Sequence, residues 1–200
     1  AAKELIEADL ETANDRINTI RYYMGFIIHF VESLASENEL KREKEKINVS
    51  EEMNKFLEDF SGITRRNETT LSLTINPENI SIYIHRADFA SMILNLFTNA
   101  LKAVQKLPEG VKRKMKITIT KDSKNFKVKF SDNGHGIKPI NREKIFRVFY
   151  TTNKQGTGLG LPIIREMLED YGGKIELSEN SELEEGATFH ITIPLEELKK

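Results

Sequence analysis

Apolar residues at Ile6, Leu10, Ala13, Ile17, Ile20, Met24, Ile27, Val31 and Leu34 recur at alternating spacings of four and three over four heptads. A stripe with that period falls on one side of an α-helix, and its narrowness calls for a second helix against it. Residues 3–45 contain no proline and one glycine, Gly25, so they read as one long helix. A coiled-coil or four-helix-bundle homodimer through this helix is the expected form; packing against its own domain is the alternative. Residues 36–48 are mostly charged and read as solvated helix, linker or both. The chain therefore divides into a helical segment, 1–45, and a second domain, 46–200.

The second domain alternates its periods. Asn48 or Ser50 can cap a short amphipathic helix with Met53, Phe56, Leu57 and Phe60 on one face. Strand-like stretches follow at 70–75 and 80–84, then a helix over 87–106 whose buried stripe is Phe89, Ile93, Leu96 and Ala100. Two strands, 115–121 and 126–131, flank a turn-prone Asp-Ser-Lys-Asn. A long segment, 133–157, has few periodic positions. A helix over 159–171 stops at Gly172-Gly173, and 174–178 with 187–194 close the chain as a strand pair. This order predicts an α+β fold, a two-layer sandwich of a mixed sheet with helices on one face, preceded by the coiled-coil-like helix.

Charge and composition remove several classes of function. Thirty Lys and Arg stand against 31 Asp and Glu, which gives no electrostatic case for a nucleic-acid partner. The absence of cysteine excludes disulfides, thiol catalysis and cysteine-zinc sites. The longest apolar run, 24–31, is broken by His29 and too short to span a bilayer. The start of the chain lacks both an initiator Met and a signal-peptide pattern, so a trimmed cytoplasmic fragment is expected, with any membrane anchor outside it.

Three blocks carry the chemistry. Asn95, Asn99 and Lys102 share one helix face, away from the apolar stripe. Two carboxamides and an ammonium suit a metal–phosphate ligand, because a neutral amide oxygen can ligate Mg²⁺ while phosphates supply charge; ordinary polar surface reads the same way. Asp132-Asn133-Gly134-His135-Gly136-Ile137 follows a strand. Its acid can accept a hydrogen bond from an adenine amino group and disfavour guanine's carbonyl, or it can close a plain turn. Gly156-Thr157-Gly158-Leu159-Gly160-Leu161 opens a helix whose free amides suit phosphate. That block has neither the spacing of a P-loop nor the setting of a dinucleotide fold.

Together these blocks resemble the catalytic, ATP-binding domain of sensor histidine kinases, in the wider group shared with gyrase, Hsp-type chaperones and mismatch-repair ATPases. The likeness covers about residues 46–196 in family order. NLFTNA at 95–100 is similar to the N box, DNGHGI at 132–137 to the first glycine box, and IFRVF at 145–149 to the F box. Thr151-Thr152 with GTGLGL at 156–161 is similar to the second glycine box, and Gly172-Gly173 and GATF at 186–189 also fit.

The resemblance implies two cofactors, ATP and Mg²⁺, and a set of roles. Asn99 would ligate Mg²⁺, with Asn95 and Lys102 as catalytic groups beside the phosphates. Asp132 would bind the adenine amino group with Gly136 beside the base, and Thr188 would support Asp132 through a water. Residues 137–157 would form a mobile lid anchored by Phe146 and Phe149, and Gly158 and Gly160 would cradle phosphate. Ala103, Gly134, Ile137, Tyr150, Thr151, Thr152, Lys154, Gly156, Thr157, Leu159 and Leu161 complete the implied nucleotide contacts. Asn153 stands where such kinases often have Lys, and Lys154 follows one place later.

Asn95 occupies the position where hydrolysing relatives carry a water-activating Glu. An amide is no general base, so transfer to a protein side chain is favoured over hydrolysis. The implied acceptor is a histidine followed by an acid on a dimerising hairpin. His29 lies on the outward face of the heptad helix, but Phe30 follows it, so the acceptor is expected upstream of Ala1. His85 and His190 fall in predicted strands and read as structural. The implied partners are a second copy of the chain and a response-regulator receiver domain. An ATP-binding regulatory or dimer-clamp module without transfer is the second reading, and an ATP hydrolase the third.

Overall fold

The structure, a computed structural model, describes residues 43–152, 157–183 and 185–199. The heptad seam, His29, Lys154 and Gly156 lie outside the described residues.

The chain enters through strand β1 (Glu45–Asn48), where sequence reasoning expected charged helix or linker. One residue explains the difference. Ile47 is 1% exposed and pairs with Ile82 of β3 (Ser81–Ile84), which an extended backbone allows and a solvated helix does not. Asn48 then caps α1 (Val49–Arg66), accepting from the backbone N–H of Ser50 and Glu51. Glu51 and Glu52 stand in its first turn and Arg65 and Arg66 in its last, each complementing the helix dipole. Val49, Met53, Phe56 and Phe60 form its buried stripe, whereas Leu57 is only half-buried.

Helix α2 (Arg86–Val104) connects β3 to β4 (Arg113–Lys121), which runs parallel to β2 (Thr69–Asn76). The remaining pairings are antiparallel: β4 with β5 (Asn125–Asp132), β5 with β7 (Thr188–Pro194), and β7 with β6 (Lys174–Leu177). The five-stranded order is β2-β4-β5-β7-β6, a mixed sheet. Strand alternation sends Ile117, Ile119, Phe126, Val128, Phe130, Phe189, Ile191 and Ile193 into the core beneath α1, α2 and α3 (Gly160–Glu169). The rings of Phe56, Phe60 and Phe97 meet there at centroid distances of 4.7–5.3 Å.

The opposite face of the sheet is polar. Behind it, Glu182 reaches back to Lys116 Nζ at 2.7 Å, Lys129 Nζ at 3.1 Å and Ser131 Oγ at 3.2 Å. The bond from Lys116 leads in holding that carboxyl well below its ordinary range. His85 is the N-cap of α2 and not a strand residue; its backbone N–H donates to Tyr171 Oη, which in turn donates to Asp88 Oδ2 at 2.8 Å. His190 lies in β7 as expected. No helix among the described residues is long and apolar enough to cross a membrane.

Candidate nucleotide site

A cavity of about 510 Å³ opens between α2, the end of β5, the N-terminus of α3 and the segment before it. One wall is the polar face of α2. Asn95, Asn99 and Lys102 all line it, while Phe89, Ile93, Leu96 and Ala100 are buried. Asn95 donates through Nδ2 to Ser91 O at 2.9 Å, which leaves its Oδ1 beside Gly160. A Cβ at Gly160 would stand 2.8 Å from that oxygen, so the glycine lets α3 approach α2 at this point.

Asp132 ends β5 at the inner end of the cavity, 4% exposed. Its Oδ1 accepts from the backbone N–H of Gly134 at 2.8 Å. Burial raises its pKa to about 6, against the opposing pull of the Gly134 and Ala187 N–H groups and His135. Gly134 is pressed against Ala103, whose Cβ would be 2.6 Å from any side chain begun there. The acid therefore sits at the end of the cavity with one carboxylate oxygen already committed to the backbone.

On the far side, Phe149 N–H donates to Gly158 O at 3.0 Å, and Gly158 has φ +68°. A Cβ there would meet Phe149 C at 2.5 Å. Gly158, Leu159 and Gly160 lead directly into α3, whose N-cap makes no side-chain hydrogen bond among the described residues; the amides of a helix's first turn have no partner within the helix and suit an anion. Lys102 and Lys106 add positive charge on the α2 side.

Of the residues singled out from sequence, Asn95, Asn99, Lys102, Ala103, Asp132, Gly136, Ile137, Tyr150, Thr151, Thr152, Thr157, Gly158, Leu159, Gly160 and Leu161 line this one cavity. Gly134 stands behind it. Two expectations need correction. Thr188 faces away from the cavity: its Oγ1 donates to Ser131 Oγ at 3.0 Å and accepts from Glu182 N–H, on the reverse face of the sheet. Its neighbours Ala187 and Phe189 line the cavity instead, as strand alternation requires. Phe149 does not anchor the segment either. It is 74% exposed with φ +63°, while Phe146 and Ile145 pack against the core.

Sequence reasoning also missed Lys106, which lies one helical turn beyond Lys102 and was findable by that i+4 spacing, and Pro162, which carried no signal apart from its neighbours; Ile145, noted only as part of the F box, lines the cavity as well. No group of three or more His, Asp or Glu among the described residues could hold a metal. A cation here would rest on an amide oxygen such as that of Asn99 and on the oxygens of a polyphosphate, which is the donor set Mg²⁺ accepts.

Comparison with known proteins agrees with this geometry. The family described as histidine kinase-, DNA gyrase B- and HSP90-like ATPase matches residues 85–197. The sensor protein TdiS of Thauera aromatica is 26% identical over 172 residues, covering 86% of this chain and 31% of TdiS. The catalytic domain of histidine kinase ThkA in a nucleotide-free form superposes with a TM-score of 0.66 at 30% identity, over 76% of this chain and 96% of that domain. ThkA in complex with the response regulator TrrA gives 0.63 at 25% identity, over 90% of this chain and 50% of that one. The chain spans about a third of the length of the curated relatives it matches.

Proposed function

The chain belongs to the histidine kinase-, DNA gyrase B- and HSP90-like ATPase family, and from that premise we propose that it is the ATP-binding, phosphoryl-donating part of a two-component sensor histidine kinase. Residues 46–200 form the ATP-binding domain in this reading, and residues 1–45 contribute to the helical dimer that presents the acceptor. The observation that carries it is one cavity with a buried carboxylate, Asp132, at one end and a row of Asn95, Asn99 and Lys102 facing the glycine turn at the other.

Each group has a task set by its chemistry. Asp132 accepts from the adenine amino group through the oxygen not committed to Gly134. The carboxamide of Asn99 holds Mg²⁺, and Lys102 and the amides after Gly158 neutralise phosphate charge. Bound ATP supplies the γ-phosphoryl group. Asn95 contributes position without basicity, so this site has no side chain at that place to activate water, and transfer to an external nucleophile is the outcome. The nucleophile is a histidine on the dimerising hairpin. The phosphoryl group then passes to a receiver domain; ThkA, seen in complex with a response regulator, supports that partner. The work is done at the cytoplasmic side of any membrane the full-length protein is anchored in.

The test is incubation of the full-length protein with γ-labelled ATP and Mg²⁺. Base-stable, acid-labile label on a histidine is expected. Acid-stable label on serine overturns the reading, as does sustained phosphate release without labelled protein. ATP binding with no label at all transfers the assignment to a regulatory clamp.

A further inference from the structure

Tyr150 lines the cavity, and its hydroxyl donates to Oδ1 of Asn141, a residue outside that lining, at 2.8 Å. Its backbone is tied to the glycine turn. Phe149 N–H donates to Gly158 O, and a Cβ on Gly158 would stand 2.7 Å from Tyr150 N. Moving Tyr150 therefore moves Gly158 and the amides that begin α3.

Asn141 is itself held from outside the cavity. It closes the 3₁₀ turn Pro139–Asn141, with its N–H on Lys138 O at 2.9 Å. The next residue, Arg142, donates from Nη2 to Glu179 O at 2.7 Å and from Nη1 to Ser178 O at 3.3 Å. Ser178 N–H is bonded to Thr188 O, so that loop is fastened to the sheet. An unbroken chain of contacts runs from the sheet through Arg142, Asn141 and Tyr150 to Gly158.

We infer that Asn141 is a positioning residue for the nucleotide's phosphates: through Tyr150 it sets where the Gly158–Gly160 amides stand. Asn141 does not itself line the cavity; it meets the wall at Tyr150, and its effect reaches a ligand through that residue. The Asn141–Tyr150 bond involves none of the residues that build the base end, Asp132, Gly134 and Ala187. The inference rests on the ATP reading and predicts a defect confined to ligands that carry phosphates.

The experiment compares Tyr150→Phe, Asn141→Ala and the double variant in the 200-residue chain, with MgATP affinity from calorimetry, adenosine affinity from NMR titration and thermal midpoints alongside. Each single variant is expected to weaken MgATP binding about two- to tenfold, the worth of one intramolecular hydrogen bond. The double variant is expected to be no weaker than the weaker single, because both remove the same bond. Adenosine affinity is expected to stay within about twofold. Equal losses for adenosine and MgATP would mean general support of the cavity and overturn the inference, as would additive losses or none. A wild-type chain that binds adenosine but gains nothing from phosphates overturns it while leaving the base pocket standing. A wild-type chain that binds neither overturns the ATP reading itself.

Discussion

Asp132 ties nucleotide binding and stability to pH in opposite directions. Its carboxyl titrates at about 6 in the fold against an ordinary 3.8. The folded state thus holds the proton more tightly than the unfolded chain. Its stabilising contribution is complete below pH 4 and is lost as pH rises through 6. The difference between 3.8 and about 6 corresponds to roughly 3 kcal/mol that the empty domain forgoes at neutral pH. Adenine recognition runs the other way, because the ionised carboxylate is the stronger acceptor for the amino group. If only the ionised form binds, roughly one molecule in eleven is competent at pH 5 and nearly all are at pH 7.5, so affinity rises about tenfold over that interval. Adenosine is the ligand of choice for calorimetry, since it has no phosphate to titrate. In Asp132→Asn the pH slope should vanish and affinity should drop to or below the wild-type value at pH 5. The same variant should raise the thermal midpoint of the nucleotide-free chain at pH 7.5 by about 2–8 °C, from about 1–2 kcal/mol retained after the new amide meets the Ala187 N–H. Adenosine affinity that is flat from pH 5 to 7.5 in folded wild-type protein would refute the assignment of Asp132 to the base.

Further outcomes follow from individual contacts. Gly158→Ala must place a Cβ against Phe149 C at φ +68°, which costs about 1–2 kcal/mol of backbone strain. Calorimetry should show MgATP binding reduced more than tenfold, from displaced amides. Tyr171→Phe removes the hydroxyl that donates to buried Asp88 and accepts from His85 N–H; urea unfolding should show a loss of about 1–3 kcal/mol with nucleotide affinity unchanged. Phe97→Ala opens the aromatic cluster with Phe56 and Phe60 under α2, and the same assay should show about 3–5 kcal/mol lost.

Most of the secondary structure was legible because each element carries one clear period. The 3.6-residue stripe of α2, with polar Asn95, Asn99 and Lys102 on the other face, survives folding unchanged, and so do the alternating strands β4, β5 and β7. Strand β1 was not legible. Four residues after a charged run show no period of their own, and only pairing with β3 makes Ile47 a core residue. Thr188 failed for a related reason: motif position alone does not say which face of a strand a side chain takes, and the register Ser131↔Thr188 turns it to the back of the sheet. Phe149 looked like an anchor as an aromatic within a motif, but its left-handed backbone sends the ring to solvent.

Sequence alone therefore determined the class of the protein. Local periodicity dictates which segments are helix or strand, and residue chemistry dictates that Asp132, the paired asparagines and the glycines can serve a nucleotide. Tertiary structure decided how those groups work together. Burial at the end of the cavity lifts the Asp132 carboxyl toward neutrality, and packing of Gly160 on Asn95 brings α3 to α2. The chain of contacts from Arg142 to Gly158 joins residues scattered from 141 to 179. Desolvation, close approach and long-range hydrogen bonds depend on distance in space, which separation along the chain does not encode.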